Sequence, residues 1–169
     1  NPKAKSPFKG AGVMIGDQYY TYSVKPRYEG NITTLADILQ SPEKVALEYC
    51  IEPDTVLMDK GWKYLKGAKE EPREGTDDFT YLYKEGPMIF PDALDKPSRT
   101  IITGEGGATA SRFKHVVKFK STKKMREHFN LEGDDAQRVR KELGLKKSEW
   151  IRRLTPIELE RLNMFPGNH

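Results

Sequence analysis

Apolar and polar positions change period several times along this chain, which predicts a series of short elements. Residues 13–15 and 18–24 flank Gly16 and Asp17, and the second of these segments alternates apolar with polar residues. A period of two on either side of a glycine-containing turn is typical of a β-hairpin. We therefore predict a hairpin here, with a half-buried second strand.

The middle of the chain alternates between helical spacing and polar stretches. Residues 54–69 are predicted to be helical in part, because Trp62 and Leu65 are spaced to lie on one side of a helix. Residues 70–78 are acidic and contain proline and glycine, which favours a loop. Residues 79–83 alternate again and predict a strand.

A third kind of pattern begins after residue 95. Residues 99–103 are rich in Ile and Thr and predict a strand, Gly104 begins a glycine-rich break, and residues 113–119 predict a second strand. The two strands are expected to pair around the glycine loop. Together these elements predict an α+β fold with small twisted antiparallel sheets and short helices.

Residues 121–149 differ from the rest and predict a helical insertion. Asp134 is a suitable N-cap for a helix that Gly144 would end. The apolar positions of that helix fall on one face and comprise Ala136, Val139 and Leu143.

Charge is distributed unevenly along the 169 residues, although the formal net charge is only +4. Residues 1–95 contain 12 Lys and Arg against 16 Asp and Glu, whereas residues 96–169 contain 17 against 9. A basic region favours a polyanionic partner. A solvated basic loop is the alternative that charge alone leaves open.

Several classes of protein are excluded or disfavoured by the composition. The longest apolar runs are too short to cross a membrane, and a single cysteine excludes an internal disulfide framework. The three histidines are scattered and predict no metal site. These features predict a cytoplasmic location.

The last twenty residues, 150–169, predict a strand followed by a capped helix. Thr155 is a suitable N-cap and Pro156 fits the first helical position. Glu158, three residues after Thr155, completes a capping box. These signals predict a helix that runs to about Asn163.

This closing block also resembles the segment that ends the target-recognition region of DNA cytosine-5 methyltransferases. In that family the pattern is Arg-x-Leu-Thr-Pro-x-Glu-x-x-Arg-Leu-x-x-Phe-Pro. The matching positions here are Arg152, Leu154, Thr155, Pro156, Glu158, Arg161, Leu162, Phe165 and Pro166. The resemblance implies that residues 1–169 form a single target-recognition domain.

Residues 96–117 carry a second resemblance to these enzymes, a Pro-x-x-Thr-Ile-x-Thr segment followed by a glycine-rich loop. In the family this part of the domain approaches the major groove of DNA. The resemblance therefore implies that Arg112 contacts a base edge, that Glu105 accepts from a cytosine amino group and that lysines hold phosphates. A plain glycine turn is the alternative. The complete set of implied DNA-binding residues is Arg99, Thr103, Glu105, Gly106, Gly107, Thr109, Ser111, Arg112, Lys114, His115, Lys118, Lys120, Lys123 and Lys124.

The catalytic motifs of the family are missing from this sequence. There is no Phe-x-Gly-x-Gly loop for S-adenosylmethionine, and Cys50 lies between Tyr49 and Ile51 instead of following a proline. The resemblance implies that the full enzyme uses S-adenosylmethionine, whereas this segment is expected to bind none and to be inactive alone.

We expect the chain to be part of a longer, bacterial restriction–modification enzyme, with double-stranded DNA and a catalytic domain as partners. Exposure of surfaces meant for that domain predicts concentration-dependent dimers without biological meaning. Two alternatives remain: a natural recognition subunit of a two-chain methyltransferase, and a non-catalytic DNA-binding or scaffold protein.

Overall fold

A computed structural model of the chain describes residues 10–25, 27–76, 79–102 and 104–166. The chain divides into two units. The first unit is Asn1–Ile32 and the second is Thr33–His169. The predicted α+β class is confirmed, because short helices accompany three antiparallel two-stranded sheets. The strands are β1 (Gly10–Ile15), β2 (Gln18–Ser23), β3 (Lys69–Glu74), β4 (Thr80–Glu85), β5 (Val116–Lys120) and β6 (Glu149–Arg153). The α-helices are α1 (Leu35–Ile38), α2 (Pro53–Leu57), α3 (Trp62–Lys66), α4 (Lys123–His128), α5 (Asp134–Leu143) and α6 (Pro156–Leu162).

The described part of the first unit is built around the predicted hairpin. Strands β1 and β2 pair from Gly10 opposite Ser23 to Ile15 opposite Gln18, and Gly16 at the turn has a φ of 58°. The half-buried face that alternation predicted is absent, because every residue of both strands is exposed. Two strands alone enclose no core in which one face could be buried.

The main core of the second unit lies around β5 and β6. These strands pair from Val116 opposite Arg153 to Lys120 opposite Glu149. Trp150 and Ile151 are fully buried beside apolar residues of α2, α3, α4 and α5. A smaller cluster on Val117 and Leu154 joins α1 to α6. Much of the second unit therefore packs around this one short sheet.

Residues 121–149 hold α4 and α5, and the predicted burial within α5 is found. Ala136 and Val139 are buried in the main core, and Leu143 packs against it. Gly144 ends α5 in the left-handed conformation, as predicted. Asp134 is the first helical residue instead of the cap, because Gly133 takes the N-cap position.

The closing block has the predicted cap. The Thr155 hydroxyl accepts from the Glu158 amide, and the Glu158 carboxylate accepts from the Thr155 amide. Helix α6 ends at Leu162 with Asn163 as its C-cap. Residues 167–169, the end of this block, lie outside the described residues.

Two further predictions of local structure are wrong. Residues 70–74 are not a loop but most of β3, which pairs with β4 from Lys69 opposite Glu85 to Glu74 opposite Thr80. Residues 99–102 form no strand, and Thr103 lies outside the described residues. The strand that was to pair with them, β5, pairs with β6 instead. On its other side, the Asp92 amide donates to the Val116 carbonyl at 2.7 Å.

Candidate functional site

The glycine-rich segment, residues 104–113, leads into β5 without any regular structure of its own. Among the described residues, no backbone amide or carbonyl of residues 106–113 bonds to another backbone group. Gly104 and Gly107 have φ values of 92° and 77°, which other residues rarely adopt. Polar side chains, instead of a ladder, therefore hold the course of this loop.

Lys114 and Arg153 hold the centre of the loop. The Lys114 ammonium donates to the carbonyls of Gly107, at 3.1 Å, and Thr109, at 2.7 Å. The Arg153 guanidinium donates to the same Gly107 carbonyl and to that of Glu48. Only 4% of Lys114 and 8% of Arg153 is exposed. Both cations therefore point into the protein, beneath the loop.

Two further cations hold the end of the loop. The Lys66 ammonium, from α3, donates to the carbonyls of Arg112, at 2.8 Å, and Lys114. Arg99 donates to the carbonyl of Phe113 and, at 2.9 Å, to the Asp92 carboxylate. Asp92 in turn accepts from the Val116 amide at 2.8 Å. These bonds tie the loop to the start of β5.

Arg112 closes the base of the β3–β4 hairpin. Its guanidinium donates to the carbonyls of Leu65, at 3.0 Å, Gly67, at 2.9 Å, and Gly86. It also lies 3.2 Å from the Glu85 carboxylate. The base contact implied for Arg112 stays a prediction, and it would require these bonds to break.

Glu105 and His115 form a buried pair under the loop. One Glu105 carboxylate oxygen accepts from the backbone amide of His115 and lies 3.0 Å from its ring Nδ1. The other ring nitrogen lies 2.9 Å from the Ser98 hydroxyl, which donates to the Arg99 carbonyl. The series of serine, imidazole and carboxylate cannot meet a substrate, because His115 is completely buried. Its role is to hold the loop.

Burial and neighbouring charges shift the pKa of three groups at this site. Burial lowers the pKa of Lys66 to about 8, and Arg99 adds to this effect. Burial likewise lowers the pKa of Lys114, with Arg153 contributing. Burial would raise the pKa of Glu105, but the hydrogen bonds from the His115 ring and amide and nearby positive charge bring it below its ordinary value.

The outward surface of the loop is made of small and uncharged groups. Gly104, Gly106, Gly107, Ala108 and Thr109 are exposed, and Ser111 is half-buried. Nothing lies within 4 Å of a Cβ built on Gly104 or Gly106. Main-chain groups therefore face open space there.

The implied phosphate-binding lysines lie apart from the loop, on β5 and α4. Lys118 and Lys120 are exposed on β5, and Lys123 and Lys124 are exposed in the first turn of α4. Lys123 lies 3.8 Å from Glu127. The site residues thus divide into a buried group under the loop and an exposed group on these two elements.

The closing motif forms a buried junction between β6 and α6. Arg152 donates to both carboxylate oxygens of Glu158, at 2.7 and 2.6 Å, and almost nothing of either side chain is exposed. Arg161 donates to the Ile38 carbonyl at 2.8 Å. Leu154 is buried with Leu162 packed against its cluster, whereas Phe165 and Pro166 are exposed.

Three residues that take part in the site were not identified as site residues from the sequence. Lys66, Asp92 and Arg153 lie 13 or more positions away from residues 105–112 along the chain, and no local pattern distinguishes them from surface charges. Within the described ranges, no helix could span a bilayer and no group of histidine, cysteine or acidic residues is arranged to hold a metal ion.

The fold and the site define an α+β unit with a glycine loop that side chains hold in place and, apart from it, an exposed group of lysines on β5 and α4. The chain is 32% identical over 161 residues to the Type II methyltransferase M.Sau3AI of Staphylococcus aureus. The alignment covers 95% of this chain but only 30% of that relative. This similarity supports a relationship to a restriction–modification methyltransferase. No family model matches the chain. No solved structure matches it.

Proposed function

We propose that this chain is the DNA-recognition region of a restriction–modification DNA cytosine-5 methyltransferase. The similarity to a Type II methyltransferase over 95% of the chain carries this proposal. The nine matching positions of the closing block supply the cytosine-5 assignment. In such an enzyme a cytosine is flipped out of the duplex before it reacts. The recognition region selects the sequence and holds the duplex.

S-adenosylmethionine and the catalytic thiolate are proposed to belong to another part of the enzyme, because the described residues do not fit either. Gly10 lies within β1, where a Cβ would come within 3.1 Å of the Tyr22 carbonyl oxygen. Gly10 therefore allows the close approach of β1 and β2, and it lies in a strand instead of a cofactor-binding loop. Cys50 is buried, and burial raises its pKa to about 11, so its thiol remains protonated at neutral pH. A catalytic domain is the proposed partner.

The exposed lysines of β5 and α4 are proposed to contact DNA phosphates. Lys123 and Lys124 occupy the first turn of α4, where a cation opposes the helix dipole. Placing two cations there disfavours the helix slightly, which supports a role in binding an anion. Lys118 and Lys120 extend the same positive charge along β5. The outward main chain of the glycine loop is proposed to approach the base edges.

Salt dependence of duplex binding tests this proposal. We expect the 169-residue chain to bind a randomised duplex weakly, with log affinity falling by about 0.9 per phosphate contact for each log unit of salt. The variant Lys118→Met should make that slope shallower by about 0.9, the contribution of one phosphate contact. A matched control is Lys44→Met, which removes an exposed lysine outside the basic region and should leave the slope unchanged. Equal slopes for both variants would contradict the proposed surface.

A hybrid enzyme tests the assignment of this chain as the recognition region of such an enzyme. The aligned segment of M.Sau3AI is replaced by this chain, and the DNA products are analysed by mass spectrometry and by sequencing of converted DNA. We expect 5-methylcytosine at a sequence that this chain selects. A folded, active hybrid that keeps the sequence preference of M.Sau3AI, or that methylates without any preference, would overturn the assignment.

A further inference from the structure

Three buried cations and the half-buried Arg99 converge on the main-chain carbonyls of one loop. Lys66, Arg99, Lys114 and Arg153 come from α3, from two irregular segments and from β6, and are here named the carbonyl clamp. Their acceptors in and beside the loop are the carbonyls of Gly107, Thr109, Arg112, Phe113 and Lys114.

The clamp replaces the backbone hydrogen bonds that the loop lacks. Between described residues, the main chain of residues 106–113 bonds to side chains only. A charged donor makes a stronger bond to a carbonyl than a neutral one does, and a buried carbonyl without a donor is costly. The course of the loop therefore depends on these four cations together with the positive φ angles of Gly104 and Gly107.

Lys114 and Arg153 affect the course of the loop most, because both donate to the Gly107 carbonyl. Gly107 has a φ of 77°, so the chain reverses at the point that the two cations hold. A Cβ on Gly107 would lie 3.8 Å from the Lys114 ammonium. The carbonyls face the clamp, and the small groups of residues 106–109 lie on the exposed side.

We infer that Lys114 and Arg153 are specificity-determining positioning residues that fix the shape of residues 104–111 without touching DNA themselves. This inference rests on the proposed function and assigns the clamp a part in it. Nearly complete burial and occupied donors keep both side chains from reaching a phosphate. The shape of a main-chain surface then determines which DNA sequence is chosen. The positive charges of Lys114 and Arg153 beneath that surface make no phosphate contacts.

The test separates loop shape from phosphate contact by measuring two quantities for each variant. The first is the ratio of affinities for a duplex selected from a randomised library and for the same duplex with one base pair changed. The second is the salt slope. The variants are Lys114→Met, the exposed counterpart Lys118→Met, and Gly107→Ala, which strains the loop without any change of charge.

We expect Lys114→Met and Gly107→Ala to lower the affinity ratio about tenfold or more, as loss of one well-placed base contact does, with the wild-type salt slope. Lys118→Met should lower the slope and keep the ratio. A reduced slope for Lys114→Met would overturn the inference, because it would mean a direct phosphate contact. An unchanged ratio in Gly107→Ala would overturn it as well, even if Lys114→Met fails to fold. Failure of the proposed function is distinct: the wild-type chain would then show no salt-dependent binding to duplex DNA.

Discussion

Glu105 is the residue under the loop that acid affects most directly. Its carboxylate accepts from the His115 amide and ring, and those bonds together with nearby positive charge hold its pKa below the ordinary value. The second carboxylate oxygen is buried and, in the described part of the chain, has no hydrogen-bond partner. Protonation of Glu105 therefore weakens the attachment of the loop to the start of β5.

The lowered pKa of Glu105 predicts a loss of stability in acid. A carboxyl whose pKa is lower in the folded state stabilises the fold above its unfolded pKa, and that contribution is lost as pH falls through the folded pKa. We expect the melting temperature of the wild type to fall across this acid range. Glu105→Gln should melt lower at neutral pH and show a shallower fall in acid, as measured by thermal unfolding at a series of pH values.

A matched control for the acid effect is Glu127→Gln on the exposed surface of α4. This variant should follow the wild-type pH profile, because exposed charges are screened by solvent. Parallel profiles for wild type and Glu105→Gln would show that Glu105 does not set the acid response.

The sequence predicted the residue types of the site but not the direction in which the side chains point. It grouped Glu105, Arg112, Lys114 and His115 in one candidate DNA-binding site, which stays a prediction. In the structure Glu105 contacts His115 and the Lys114 ammonium holds loop carbonyls, whereas the Arg112 guanidinium lies at the base of the β3–β4 hairpin. Nothing in the sequence indicated that the cations turn inward to carbonyls. Direction depends on contacts with Lys66 and other residues far away along the chain, which the local pattern does not contain.

At the scale of elements, the ion pair of Arg152 with Glu158 is the junction between β6 and α6. Besides Arg152, the Glu158 carboxylate accepts from the amides of Gln40, at 2.7 Å, and Thr155, at 2.9 Å. One carboxylate therefore joins the strand, the helix and the segment after α1. A substitution of Glu158 that removes its carboxylate would therefore deprive all of these donors of their acceptor at once.

We predict that Glu158→Ala lowers the free energy of unfolding by about 3–5 kcal/mol, because it leaves a buried guanidinium without its partner. Urea unfolding monitored by circular dichroism measures the change. The control Glu127→Ala removes one exposed partner of an i, i+4 pair and should cost about 0.3–0.5 kcal/mol. Similar losses in both variants would show that the junction contributes no more than a surface pair.

The elements that the sequence predicted correctly are those with local signals. Helix α6 has its cap and first-turn proline within four residues, and α5 has Gly144 at its end. Strand β3 was missed because Lys, Glu and Pro are poor strand formers, and its pairing with β4 decides its structure. Residues 99–102 have the opposite conflict: their composition favours a strand, but β5 has already paired with β6.

At the scale of the whole molecule, large apolar side chains remain exposed in both units. Met14 and Ile15 are exposed in the first unit, and Met164, at 89%, and Phe165 are exposed in the second. Within each unit, exposed apolar groups of this size are typical of a surface that is covered in an assembly. The proposed catalytic partner would supply that cover.

We predict that the chain alone self-associates as its concentration rises. Light scattering over a dilution series should show a rising mean mass, and Met164→Ser combined with Met14→Ser should reduce it, because both changes replace exposed apolar side chains. Val139→Ser is unsuitable for this purpose, since Val139 is buried in the core. A strictly monomeric chain at every concentration would contradict the prediction.

The carbonyl clamp has a consequence for how recognition can diverge. Every amino acid presents the same main-chain carbonyl, so the clamp holds the loop whatever side chains the exposed residues 108 and 109 carry. Exchanges at these positions leave the fastening intact and alter only the surface that meets the partner. Such a loop is a suitable place for new sequence preferences to arise by point mutation, and for their directed evolution, without loss of the fold.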